Sequence, residues 1–193
     1  MIAIISSPIA ELSADGSHQP SGLGVRVARA LVRDGERVEL IGRIGADRVG
    51  EELTLSLARD GIGHVALLRD AALTTPVGAA ARGIALDRGD VQLGLRYLTS
   101  FSAVLLIDPA NDALVQGVAE ESAYGGAPLV VVGDAEFDHG EVATDKSGAP
   151  RGRTSLREVA SPLFVTRPKV ESSEFDAYLA GLLAADGGGS ANG

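Results

Sequence analysis

Apolar positions along this chain fall into short runs that alternate with longer amphipathic stretches. Ile2–Ile5 is a β-prone run, followed by a polar loop around Asp15-Gly16 and His18-Gln19-Pro20. Ser21-Gly22-Leu23-Gly24 leads into Val25–Arg33, where Val27, Ala28, Leu31 and Val32 recur at helical spacing while Arg26, Arg29 and Arg33 face elsewhere. Asp34-Gly35 stops that helix. Val38–Ile44 reads as a strand, Glu51–Arg59 as an amphipathic helix closed by Asp60-Gly61, and His64–Leu68 as another apolar run. Strands alternating with helices of this length predict right-handed βαβ units around a mostly parallel sheet.

Two stretches break the rhythm. Val77–Asp87 and Val91–Leu98 are read as β-prone and joined by Arg88-Gly89-Asp90, which predicts a β-hairpin over about 77–98 that projects from the sheet as a lid or an oligomer contact. The alternation resumes with strand Ala103–Ile107, helix Asp112–Tyr124 and strand Pro128–Val132. Residues 134–153 read as a long polar loop, Leu156–Val159 as a short helix, Leu163–Thr166 as a strand and Ser172–Ala185 as a last helix. The expectation is one α/β domain over residues 1–186, with a disordered Gly-rich tail over 187–193.

Composition narrows the function. With 193 residues, 45% of them hydrophobic, the chain can bury one ordinary core. No apolar run approaches the roughly 20 residues of a membrane span, and the start lacks the basic region of a signal peptide. The absence of cysteine excludes thiolate chemistry and makes the cytoplasm the expected location. A net charge of -9 argues against nucleic acid and anionic membrane as partners.

Candidate chemistry is sparse. Glu136, Asp138, His139 and Glu141 cluster in a Gly-rich loop without metal-ligand spacing and read as solvated, so no metal is expected. His18 and His64 stand alone. Gly22-x-Gly24 lacks the third glycine of a dinucleotide fingerprint, because Val27 stands there.

Three segments, taken in order, carry a resemblance. Ser21-Gly22-Leu23-Gly24-Val25-Arg26-Val27-Ala28 is similar to the Gly-Gly-x-Gly-x-Asn-x-Ala segment of ribokinase-like (PfkB) carbohydrate kinases. Ile41-Gly42-Arg43-Ile44-Gly45-Ala46-Asp47-Arg48-Val49-Gly50 resembles that family's Gly-x-x-Gly-x-Asp-x-x-Gly block, and Leu73-Thr74-Thr75-Pro76-Val77 its threonine-containing approach to the lid. The resemblance holds to about residue 110. It implies a three-layer, ribokinase-like α/β fold whose mostly parallel sheet carries a β-hairpin lid. Carried over by position, the substrate-binding residues it implies are Glu11, Ser21, Gly22, Gly24, Arg26 and Asp108. Arginine only donates and is permanently charged, so Arg26 in place of asparagine suits an anionic group better than a neutral sugar. Gly42, Gly45 and Gly50 read as turn and close-packing residues.

The family's Gly-Ala-Gly-Asp motif cradles the transferring phosphoryl group and supplies a general base. It does not occur in this chain. In one alignment Phe175-Asp176-Ala177-Tyr178-Leu179-Ala180-Gly181 matches Gly-Asp-Ala-Phe-x-Ala-Gly, which makes Asp176 the catalytic candidate. In the other, preferred because it keeps the elements collinear, Arg167-Pro168-Lys169-Val170-Glu171 matches the mid-chain Pro-Asn-x-x-Glu segment, and the chain stops before the nucleotide-binding third. Three functions are weighed: a catalytically degenerate binder of a small polar or anionic metabolite; an active sugar or nucleoside kinase, the only reading that calls for ATP and Mg; and an interaction module that forms a homodimer through the lid.

Overall fold

Ile2–Ile5 forms β1, and every one of its side chains is buried because both faces of the strand are covered. Ile2 and Ile4 join one core, with α1 (Leu23–Arg33), α2 (Arg48–Arg59) and α5 (Ser173–Gly187). Ala3 and Ile5 join the other, with α3 (Arg88–Tyr97) and α4 (Asp112–Tyr124). A strand with no solvent face reads as a continuous apolar run, which is why no alternation is visible there. The computed structural model describes residues 1–133, 141–142 and 162–187.

The main sheet contains β1, β4 (Val38–Gly45), β5 (Leu67–Asp70), β6 (Ala103–Ile107), β7 (Leu129–Gly133), β8 (Glu141–Val142) and β9 (Leu163–Thr166), in the order β5-β4-β1-β6-β7-β9-β8. Each neighbouring pair is parallel. Strand order runs outward in one direction from β1 and in the other from β6, so the reversal lies between them. Helices that follow parallel strands begin at the strands' carboxyl edge, so α1, α3 and α4 all start at the edge where Ile5 and Ile107 end. Among the described residues no helix is long and apolar enough to cross a membrane.

The predicted lid at 77–98 is corrected by the structure. Arg88–Tyr97 is helix α3, and residues 78–87 are an extended connection without regular structure. Asp87 is the reason: its carboxylate accepts from the Asp90 N–H at 2.8 Å, while Asp90 accepts from the Asp87 N–H at 2.9 Å, a reciprocal cap that starts a helix. Val91 and Leu95, four residues apart, then bury against the sheet. The antiparallel hairpin that does stand off the main sheet lies earlier, between β2 (Ile9–Leu12) and β3 (His18–Ser21), and turns through Gly16 at φ 82°. A dimer through strands at 77–98 therefore has no strand pair to use. Within the predicted loop at 134–153, Glu141–Val142 form β8; the rest of that stretch, the helix at 156–159 and the tail beyond 187 lie outside the described residues.

The Gly42–Gly50 block is built into a latch. Asp47 caps α2 by accepting from the Gly50 N–H at 2.7 Å, and also accepts from the Thr75 N–H at 2.8 Å and the Thr75 hydroxyl at 2.7 Å. A Cβ on Gly45 would lie 2.6 Å from the Leu73 carbonyl, and one on Gly50 would lie 2.3 Å from the Gly45 carbonyl, so close packing requires both glycines. Burial pushes the Asp47 carboxyl up, but the bonds from Gly50 and Thr75 outweigh it and hold the group below its ordinary 3.8. A depressed folded-state value means that the contribution is present above 3.8 and disappears as pH falls through the folded value. Asp47→Ala is expected to cost about 1–2 kcal/mol at neutral pH. Urea unfolding of both proteins should show that difference shrinking below about pH 4.

Candidate functional site

In open parallel sheets ligands gather at the carboxyl edge where strand order reverses. The residues nominated from sequence mostly lie along that edge. Gly22 begins α1 with φ 105°, a left-handed conformation suited to glycine, and no side chain caps this helix start. Gly24 lies against the end of β1: a Cβ there would fall 2.6 Å from the Ser6 Cβ. Ser21 closes β3 immediately before this turn.

Arg26 lies one turn further, its N–H bonded to the Gly22 carbonyl at 3.1 Å. Its guanidinium is already engaged: Nε donates to Asp176 Oδ2 at 2.8 Å, and Nη1 meets Glu171 Oε2 at 2.9 Å. Burial alone would lower the Arg26 value. The bond and charge of Asp176, then those of Glu171, outweigh it and hold the group above its ordinary range. The preference for an anion expected of a free guanidinium thus has to compete with two carboxylates that already fill the fork. One oxygen of Asp176, Oδ1, is buried with no hydrogen-bond partner among the described residues, as is the Tyr178 hydroxyl.

Asp108 stands at the first position after β6 in the left-handed region, φ 49°, a conformation that aspartate tolerates better than most residues. Arg167 Nη2 donates to its Oδ2 at 2.6 Å, and the Arg167 N–H donates to the Gly133 carbonyl at 2.9 Å, which joins the ends of β6, β7 and β9. Arg167, Pro168, Lys169 and Glu171 line an open hollow of about 390 Å³. Glu171 connects this hollow to the Arg26–Asp176 pair, and Arg167 connects it to Asp108. Arg26 and Asp108 are thus each bonded to a lining residue of the hollow, Asp176 to Arg26, and Ser21, Gly22 and Gly24 lie at the start of α1 one turn before Arg26. Glu11 is not part of the group: it is exposed on β2 opposite Gln19 and bonds to none of the others among the described residues.

β9 runs directly into Arg167-Pro168, and α5 follows at once, packed along α1 so that Asp176 reaches Arg26. The first turn of α5 presents Ser173, Glu174 and a buried Phe175, not glycines. Sequence reasoning missed Glu171 and Arg167 as partners of Arg26 and Asp108. It also missed Ser6 and Ser7, although their position after the first strand was a usable signal. Glu136, Asp138 and His139 lie outside the described residues, and of Glu141 only the backbone, at the start of β8, is described.

No protein-family model matches the chain, and no curated protein matches it in sequence. Solved structures do match in fold. A PfkB protein from Polaromonas sp. JS666 superposes with a TM-score of 0.57 at 16% identity, over 70% of this chain and 56% of that one. A fructokinase from Halothermothrix orenii gives 0.52 at 16% identity, over 79% of this chain and 61% of that one. An aminoimidazole riboside kinase from Salmonella enterica, complexed with aminoimidazole riboside and an ATP analog, gives 0.52 at 18% identity over 70% and 50%. The chain spans about half the length of the solved structures it matches.

Proposed function

We propose, from a chain that carries the ribokinase-like fold over the part it shares with sugar and nucleoside kinases, that it binds a small, neutral, hydroxyl-bearing metabolite and does not transfer phosphate. The observation that carries this reading is the Arg26–Asp176 ion pair. It neutralises the arginine that would attract an anion, and it ties one oxygen of the only carboxylate aligned with the family's general base to a permanent cation. Arg26, Arg167 and Lys169 are balanced by Asp108, Glu171 and Asp176, so the site carries no net charge to favour a phosphate or carboxylate on the ligand. The buried Oδ1 of Asp176, without a partner among the described residues, suits a hydroxyl donor.

Anion transfer lacks its cradle as well. Ser173, Glu174 and Phe175 stand where that alignment needs three small residues. The Glu174 carboxylate would repel a phosphoryl group at a helix start that otherwise attracts one. Calorimetric titration against ribose, fructose, adenosine and their phosphorylated forms tests the reading. Binding of a neutral member, weakened at least tenfold by Asp176→Ala, is the expected result. Tighter binding of the phosphorylated forms would restore the anion preference read from Arg26, and absence of binding by every member would contradict the proposal.

A further inference from the structure

At the amino edge of the sheet, opposite the candidate site, one carboxylate lacks a counter-charge. Val38 and Leu40 of β4 belong to the core beneath α1 and α2, whereas Ile41 belongs to the core beneath α3 and α4. Side chains alternate along a strand, so Glu39 lies on the α3 face, in register with Ala3 of β1. The residue is half-buried, and its Oε2 is buried with no hydrogen-bond partner among the described residues. Neither Arg37 nor His64 pairs with that oxygen. A buried carboxylate oxygen left unpaired is costly, so a cation that reached it would gain a strong bond.

Two contacts fix what stands over it. Asp90 of α3 pairs with Arg43, and a Cβ on Gly94 would lie 2.5 Å from Ile41 Cγ2. Four residues of helix and two of strand each advance about 6 Å. The next pair in that series is Leu98 over Glu39, and Leu98 is indeed buried in one core with Ala3 and Ile41. Glu39 therefore lies under the C-terminal turn of α3. The carbonyls of that turn carry partial negative charge, so helix end and carboxylate both favour a cation.

Tyr97 and Gly63 shape the place. Arg88 and Gln92 face α4, where they donate to Glu120 and Glu121. Tyr97 follows Arg88 by about two and a half helical turns, so it projects from the other flank, toward β5, and is exposed. Gly63, bridged to Glu39 just before β5, lets the carboxylate lean to the same flank: a Cβ there would collide with both carboxylate oxygens.

We infer that Glu39, the carbonyls ending α3 and the Tyr97 ring form a binding site for a guanidinium-bearing ligand. A divalent metal needs about six oxygen ligands, and no group of three His, Asp or Glu that could hold one occurs among the described residues. A guanidinium is flat and weakly hydrated, donates to several oxygens at once and stacks on aromatic rings. It suits a place walled by alanine, leucine and tyrosine better than a compact ammonium does. The inference is independent of the proposed function, whose site lies at the other edge.

Saturation-transfer NMR with methylguanidinium tests it on the intact chain, with methylammonium at the same ionic strength as control. Methylguanidinium is expected to bind the more tightly. Glu39→Gln is expected to weaken it about tenfold or more, and Tyr97→Leu about threefold. Gly63→Ala keeps every charge but puts a methyl group where the carboxylate lies, and is expected to weaken binding as much as Glu39→Gln. N-acetyl-arginine methylamide, which presents the group as a protein chain does, separates two sources: tighter binding than methylguanidinium assigns the site to a partner's arginine, weaker binding to a free guanidino compound. No binding by either probe, or an affinity that Glu39→Gln and Gly63→Ala leave unchanged, would overturn the inference. Should either variant not fold, Tyr97→Leu decides, because that residue is exposed: an unchanged affinity overturns the inference as well.

Discussion

Arg26→Ala is expected to destabilise the protein by about 2–3 kcal/mol and to lower its melting temperature by roughly 5–10 °C. The side chain of Asp176 is only 13% exposed and its Oδ2 faces the Arg26 guanidinium, so the alanine variant leaves a carboxylate facing the core without its counter-charge. Breaking a fully buried pair costs about 3–5 kcal/mol; the 28% exposure of Arg26 lets water reach the pair and reduces the figure. The same pair joins α1 to α5, whose Phe175, Leu179, Ala180, Leu182 and Leu183 lie in one core with Leu23, Val27 and Leu31. Removing both charges, as Arg26→Leu with Asp176→Asn, leaves no unpaired charge against the core, Glu171 being exposed to water, and is expected to recover at least half of the loss. Thermal unfolding of the two single variants and the double variant reads this coupling. Additive losses, or a single-variant loss under about 0.5 kcal/mol, would mean that the ion pair does not hold the two helices together.

The parts of the fold that could be read from sequence are those whose local pattern and tertiary role agree. Ala103–Ile107, Asp112–Tyr124 and Leu163–Thr166 form where their periodicity put them, because a run buried on both faces and an apolar helical stripe admit few other solutions. The hairpin at 77–98 failed for a specific reason. Val91, Leu93 and Leu95 alternate at strand spacing, but that reading ignores Asp87-x-x-Asp90, and that pair of aspartates is a helix start. The strand expected at His64–Leu68 forms at Leu67–Asp70, shifted because it aligns with Gly42–Gly45 of β4 and not with its own most apolar residues.

The candidate site was half legible. Gly22 and Gly24 stand out because a glycine pair before an amphipathic helix marks a tight turn. The partners of Arg26 were not legible, since Glu171 and Asp176 are about 150 residues away and only the packing of α5 on α1 brings them together. An arginine read alone calls for an anion; the same arginine in the fold has already found two. The close approach of Gly83 to the Ser7 carbonyl is likewise a contact between a strand end and a distant connection, with no local signature in either.

The expected rate of phosphate transfer from ATP to any sugar or nucleoside is far below one per second, the lower range of working enzymes. Phosphoryl transfer relies almost wholly on positioning and on donors aimed at the developing charge. Losing one such donor commonly costs about a hundred- to a thousand-fold, and in the alignment that makes Asp176 the base, Ser173, Glu174 and Phe175 stand where the glycine cradle is needed. A general base contributes about a hundred- to ten-thousand-fold, which cannot compensate, and Asp176 is in any case bonded to Arg26 at 2.8 Å. The decisive measurement is coupled ATP turnover by the purified chain with Mg²⁺ across a sugar and nucleoside panel, beside Asp176→Asn. Turnover indistinguishable from the no-protein background is expected for both proteins; turnover of about one per second or faster, abolished by Asp176→Asn, would contradict a chain that binds without transferring phosphate.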